Sequence, residues 1–307
     1  MQRAAVRRIG FLLAIGLSVC AICLPVGSSA QSSRRLLFDE AHNNVHRPAA
    51  SYAPMAQLLR ESGFIVSSLT TGLRPSVLAS TDVFVSVSPL SAPRDELARM
   101  ARENGQTFRV FPPAARPAFS GAEVETLETW VRAGGALLLI VDHPPYAAAA
   151  QSLAAGFGVD LRNATAADPA FGDSVFPAGI VFARSDGRIG DHSTTTGVDR
   201  VVTVAGASLM PPPGGTVLLR LSDDAVDRYG VPDMPDFQET SAAGRGQAIA
   251  FAHGEGRVVI VGEAGMFAAS PGSNTATEGA NGILRNDLTT ARFALNVARW
   301  LAGLNVE

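Results

Sequence analysis

The chain has 307 residues with a formal net charge of −3, and all 25 of its basic residues are arginine. Without lysine there is no Schiff-base chemistry, no lysine-held pyridoxal phosphate and no P-loop lysine. Both cysteines, Cys20 and Cys23, fall near the start, so the rest of the chain has no thiol nucleophile, cysteine-ligated zinc or disulfide.

That opening segment has a three-part order. Arg3, Arg7 and Arg8 come first, then an apolar run from Ile9 to Val26, then Gly27-Ser28-Ser29-Ala30 with small residues before Gln31. This is the order of a secretory signal peptide over residues 1–30, cleaved after Ala30. The alternative is an uncleaved helix anchored in the inner membrane, because the apolar run approaches spanning length. No later run is long enough to span, so the mature chain is expected to be periplasmic or secreted. It keeps 22 arginines against 28 acids, a net charge of −6. With no dense basic stripe, nucleic acid is not an expected partner.

The elements follow in order. Leu36-Leu37-Phe38 is a short apolar run stopped by Asp39-Glu40-Ala41-His42-Asn43-Asn44, the pattern of a buried parallel strand and its loop. Met55, Leu58 and Leu59 have helical spacing between Tyr52 and Ser62, and Gly63 is a helix stop. Strands are expected at Phe64–Leu69 and Asp82–Val87, giving β-α-β and a further strand, the signature of a parallel sheet.

Pro89–Pro117 is less regular, with a helix expected from Arg94 to Glu103. Ser120 and Glu123 form a capping box opening a helix with Val124, Leu127, Trp130 and Val131 on one face. Gly134-Gly135 ends it, and Ala136–Val141 reads as a buried strand before Asp142-His143 and a small-residue helix to about Gly156. Periodicity is lost from Val159 to Pro177, and a polar loop spans Gly190–Gly197. Strands are expected at Val201–Val204 and Thr216–Leu221. A hairpin of Gln247–Ala252 and Arg257–Val261 turns at His253-Gly254-Glu255-Gly256. The last helix covers about Asp287–Leu301. Trp130 and Trp300, at helical positions among apolar neighbours, read as core. The organisation is one α/β domain over 31–307 with insertions at about 89–118 and 159–250.

In an open parallel sheet, ligands bind beyond the carboxyl ends of the strands. Three apolar strands end in polar groups here, and if they are neighbours those groups converge. The expected lining is Asp39, Glu40, His42, Asn43, Asp142, His143, His192 and Glu263, with His253 away from it in the hairpin. The competing expectation is a metal-assisted hydrolase with His42, His143 and Glu263 as ligands and Asp142 as base. The spacings HExxH, HxH and HxxE, the GxSxG elbow and the dinucleotide fingerprint are all missing, and no cofactor is implied. A third possibility is a structural envelope component with no small-molecule site.

Leu37–Asn44, Phe119–Asp142, Gly256–Glu263 and Asn286–Leu301 together resemble a bacterial family of unknown function, of the DUF4350 type. That family is similar in turn to the class I glutamine amidotransferase-like fold, including auxiliary proteins of gliding-motility ABC transporters. The resemblance implies a flavodoxin-like, mostly parallel sheet flanked by helices, with a β-rich insertion in the second half. It also implies an ABC transporter as one candidate partner. Amidotransferases of this fold carry a cysteine on an elbow after a central strand. Asp142-His143 stands at the matching place here, which removes thiol-dependent glutaminase chemistry. What remains is an exported, non-catalytic domain that binds a ligand, carbohydrate among the candidates, or a partner.

Overall fold

The computed structural model describes residues 33–173, 179–269 and 282–306, so the expected signal peptide lies outside the described residues. Among these, no helix is long and apolar enough to cross a membrane. The first half alternates strand and helix: β1 (Arg35–Asp39), α1 (Ala53–Glu61), β2 (Ile65–Leu69), α2 (Pro75–Leu78) and β3 (Val83–Val87). Next come α3 (Arg94–Glu103), α4 (Gly121–Arg132), β4 (Ala136–Ile140) and α5 (Tyr146–Gly156). The capping box at the start of α4 forms as its sequence requires. Ser120 Oγ accepts from the Glu123 N–H at 3.3 Å, and the Ser120 N–H donates to Glu123 Oε2 at 2.9 Å.

The second half is strand-rich, with β5 (Asp160–Leu161), β6 (Thr165–Ala167), β7 (Ile180–Ala183), β8 (Arg200–Thr203), β9 (Leu209–Met210) and β10 (Thr216–Arg220). After them come β11 (Val226–Tyr229), β12 (Gln238–Ser241), β13 (Gly246–His253), β14 (Gly256–Val261) and α6 (Thr290–Leu301). Ser33–Glu307 packs as one unit.

The main sheet has nine strands in the order β2-β1-β3-β4-β14-β13-β9-β5, with β10 beside β13. β2, β1, β3, β4 and β14 are mutually parallel. From β13 onward the pairing is antiparallel, beginning with the hairpin to β14. The expected adjacency of the polar-ended strands is corrected in one respect: β3 stands between β1 and β4. Of the stretch 159–250, β5, β9, β10 and β13 extend the main sheet. β6, β11 and β12 form a separate three-stranded sheet, and β7 pairs with β8.

β2 at the edge is largely exposed, but β3 and β4 are buried on both faces and, apart from Ser86, carry runs of apolar residues. Alternation sends them to two cores. Leu36, Phe38, Val83, Val85, Leu138, Ile140, Val259 and Val261 pack with Met55 and Leu59 of α1 and Phe293 and Val297 of α6. Leu37, Phe84, Leu137, Leu139, Val258 and Ile260 pack with Leu127 and Val131 of α4 and Leu153 of α5. Trp130 and Trp300 are half-buried and pack against the edges of these cores.

The β13–β14 hairpin is pressed against the end of α4. A Cβ on Gly256 would lie 2.0 Å from the Val131 carbonyl oxygen and 2.2 Å from that of Gly135, both backbone atoms that cannot swing aside. Gly256→Ala should therefore destabilise the fold by about 1–3 kcal/mol. A lowered urea midpoint at unchanged slope would show it, and an unchanged midpoint would refute the tight approach.

Candidate functional site

The carboxyl ends of β1, β3, β4 and β14 lie along one edge of the sheet, and the side chains there obey the same two-residue alternation as the cores. Asp39 and Ser86 have the parity of the α4–α5 face, and Asp142 and Glu263 that of the α1–α6 face. The strand-end groups therefore share an edge but divide between two sides of the sheet.

On the α4–α5 side the groups form a closed cluster. Asp39, 2 % exposed, accepts from Ser86 Oγ at 2.8 Å and from the Ala41 N–H at 3.1 Å. His42 Nδ1 lies 2.9 and 3.0 Å from the two Asp39 oxygens, and its Nε2 lies 3.3 Å from Glu123 Oε1. With both nitrogens facing carboxyl oxygens, only the imidazolium donates to both. Burial disfavours that charge, but Asp39 and then Glu123 outweigh it and hold the His42 pKa above 6.5. The ring also packs on Phe119, with centroids 4.0 Å apart. Glu123 thus serves the capping box through Oε2 and His42 through Oε1, tying the start of α4 to the loop after β1.

The rest of that loop is also engaged. Asn44 donates to Ser86 Oγ and to the Val87 carbonyl, each at 3.1 Å. Asn43, at φ 51° in the left-handed region that asparagine tolerates, donates to the Leu90 carbonyl at 3.2 Å. Glu40 turns aside, with Oε2 4.0 Å from Arg47 Nε.

On the other side, the ladder register that pairs Ile140 with Val261 carries two residues further to set Asp142 opposite Glu263. Glu263 accepts from the Gly265 N–H at 2.6 Å and the Met266 N–H at 2.7 Å. Burial nonetheless lifts its pKa to about 7, against the lowering effect of the Met266, Gly265 and Val204 amides. Asp142 is also pushed up, by burial and then by Glu263, with the His143 N–H (2.7 Å) and Arg109 opposing. Tyr52 covers the pair and donates its hydroxyl to the Ala264 carbonyl at 2.8 Å.

His143 donates from Nδ1 to the Pro144 carbonyl at 2.6 Å, which leaves Nε2 as the acceptor. Burial, with Arg109 nearby, lowers its pKa to about 4. His192 does not belong to this edge. Its ring lies 4.7 Å from that of Trp300, over which Arg257, at the amino end of β14, also packs. It therefore sits at the opposite end of the sheet from Glu263. His253 is also elsewhere, 2.9 Å from Glu128 Oε1.

Two crevices lie beside this edge. A crevice of about 420 Å³ is lined by Arg109, Thr165, Asp168, Arg228 and the backbone at Val204–Ala205, where Val204 donates to Glu263. A second, of about 350 Å³, is lined by Arg109, Pro144, Asn163, Thr165, Tyr229, Asp236 and Gln238. Arg109 and Thr165 belong to both, so the two adjoin where the turn Phe108–Val110 faces the sheet of β6, β11 and β12. Sequence reasoning missed all of these residues. They sit in irregular or weakly apolar segments far apart in the chain, and no local spacing links them. Among the described residues no group of three or more His, Cys, Asp or Glu is placed to hold a metal ion.

The fold is similar to that of the mmIFT52 N-terminal domain, at 14 % identity over 87 % of this chain and 97 % of that one, with a TM-score of 0.60. A cytoplasmic protein from Salmonella typhimurium (14 % identity, 87 % and 98 % covered, TM-score 0.49) is similar more distantly. So is a ThuA-like protein from Parabacteroides merdae (12 % identity, 90 % and 92 % covered, TM-score 0.46). No curated relative matches by sequence. The family described as "Domain of unknown function (DUF4350)" matches residues 55–270.

The buried carboxyl pair makes a prediction. Like charges opposed across a ladder are destabilising, and among the described residues Asp142 accepts a hydrogen bond only from its neighbour's N–H. Glu263→Gln removes the charge that helps raise Asp142, so it should lower the Asp142 midpoint, read by carbon-13 carboxyl titration. A raised acid loses stability as pH climbs from its unfolded value through its folded one. The variant's gain over the parent should therefore grow between about pH 4.5 and 7. An unchanged Asp142 midpoint would exclude the pairing, and a gain that is flat with pH would exclude the raised Glu263.

Proposed function

The chain belongs to the DUF4350 family, and we propose that it is an exported, non-catalytic binding domain of the cell envelope, its ligand held in the paired crevices beside the carboxyl edge of the sheet. The observation that carries this reading is the junction at Arg109 and Thr165, where two crevices of ligand size meet at the sheet edge favoured by open α/β folds. The order of residues 1–30 supports export. The strand order β2-β1-β3-β4-β14 supports a flavodoxin-like class, and the absence of cysteine after Cys23 argues against thiol-dependent amidotransferase chemistry.

The engagement of the strand-end groups favours binding over hydrolysis. His42 is enclosed by two carboxyl groups, and Glu263 is occupied by backbone amides. The two stand on opposite sides of the sheet from each other, so they do not make one ligand set with His143. The polar cluster around Asp39 acts instead as a lock between the loop after β1 and α4.

Filling the junction tests the reading. Thr165→Trp places an indole where the crevices meet. Sugars, sugar acids, amino acids and dicarboxylates at millimolar concentration are screened by thermal unfolding against both proteins. A ligand at about a hundred times its Kd adds about 2.7 kcal/mol, a shift of several degrees. At least one probe should stabilise the parent and not the filled variant. If every probe treats the two proteins alike, the crevice is not the binding site. Export is checked separately, by a mature protein whose mass begins at Gln31.

A further inference from the structure

Resting on that reading of the crevice, we infer that its ligand is a small hydroxylated carboxylic acid of the sugar-acid class, its carboxylate held by Arg109. The inference begins with which lining groups are already engaged. Asp168 is fully used, accepting from Arg188 Nη1 at 2.8 Å, the Ser222 N–H at 3.0 Å and Ser222 Oγ at 2.7 Å. Arg228 donates to Glu239 at 2.8 Å. These two lining charges are therefore balanced by their own neighbours.

Arg109 is different. It lines both crevices, and its guanidinium has no hydrogen-bond or ion-pair partner among the described residues. The titratable groups it acts on, Asp142, His143 and Tyr146, stand beyond hydrogen-bond and ion-pair distance. A guanidinium presents a planar fork that matches a carboxylate with two parallel bonds. A dianionic phosphate fits this place less well. Phosphate sites gather several donors, such as a nest of backbone amides or a second free cation. Here the only other lining charge without a partner is the Asp236 carboxylate, which would repel a dianion.

The remaining lining suits hydroxyl groups. The hydroxyls of Thr165 and Tyr229, the amide of Gln238 and the carboxylate of Asp236 make no hydrogen bond to another described residue. Asn163 gives its Oδ1 to the Ala148 N–H at 3.2 Å and keeps its amide N–H groups uncommitted. Donors and acceptors thus line the same space as one cation, in a volume of about 350 Å³ that is enough for a six-carbon acid. An apolar acid would leave these groups unpaired on closing the site, which is the larger loss.

The test is isothermal titration of the full mature chain with gluconate, glucose and inorganic phosphate, repeated on Arg109→Ala and Gln238→Ala. Arg109 is exposed and engages no partner, so its variant should fold like the parent, which an unchanged Tm verifies. Gluconate should bind the parent at least tenfold more tightly than glucose or phosphate. Arg109→Ala should weaken gluconate by about ten- to a hundredfold, the loss of charge-assisted bonds, and leave glucose unchanged. Gln238→Ala should weaken gluconate and glucose together. If glucose binds as well as gluconate and Arg109→Ala changes neither, the sugar-acid assignment fails while the crevice reading stands. Phosphate binding as tightly as gluconate likewise overturns it. If none of the three binds, the assignment fails, and the Thr165→Trp screen then decides whether the crevice reading falls too.

Discussion

A parallel strand buried on both faces has no position along its length where a charge can rest, and this constraint governs the rest of the molecule. Within the central strands β4 is apolar throughout and β3 carries one polar residue, Ser86, while the charged groups gather where the strands emerge. The constraint also does something less obvious. Alternation continues past the last ladder bond, so whether a strand-end residue joins one helix layer or the other depends on counting by twos from the core. Asp39 counts to the α4 side, where Glu123 meets His42. Asp142 and Glu263 count to the α1 side, where Tyr52 covers them. Two separate polar assemblies result from one edge.

How much of this was legible follows from the same rule. β1, β3, β4, the β13–β14 hairpin, α3 and the Ser120–Glu123 box are all set by local pattern: apolar runs, a glycine-rich turn, a cap with a carboxylate three residues on. The gathering of polar residues at strand ends was equally readable. Their division between faces needed the pairing register, and the place of β3 between β1 and β4 needed the topology. His192 was misread because its polar loop resembles a strand end. Its ring in fact packs against Trp300 of α6, and nothing within the loop's own residues marks that partner.

The crevice was illegible for a different reason. Its walls are Arg109, from a three-residue turn, and β6 and β11, which pair across about sixty residues of chain. β11 and β12, Val226–Tyr229 and Gln238–Ser241, carry charged and polar residues at successive positions, without the alternation that betrays a half-buried strand. Pairing between such segments is decided by tertiary contacts and not by propensity.

Those contacts are largely guanidinium–carboxylate bonds, and here the lysine-free composition gains a structural meaning. Asp227 of β11, fully buried, accepts from Arg162 at 2.7 Å and from Ser208 at 2.8 Å. Arg245, 3 % exposed, reaches Asp160 at 2.6 Å and Ser208 at 2.6 Å. Arg188, also buried, holds Asp168 while packing over Phe171, its guanidinium carbon 3.5 Å from the ring centre. Buried ion pairs of this kind add little net stability over apolar contacts, yet losing one partner strands the other charge and is costly. They therefore punish misplacement more than they reward folding. A guanidinium stays charged where a buried ammonium would shed its proton, and its fixed fork accepts only one geometry. Arginine thus pins β6, β11 and the turn at Asp168 against the main sheet, which gives the wall facing Arg109 a fixed position. That fixity is what a binding crevice requires, since a wall already held in place need not be ordered again when a ligand arrives.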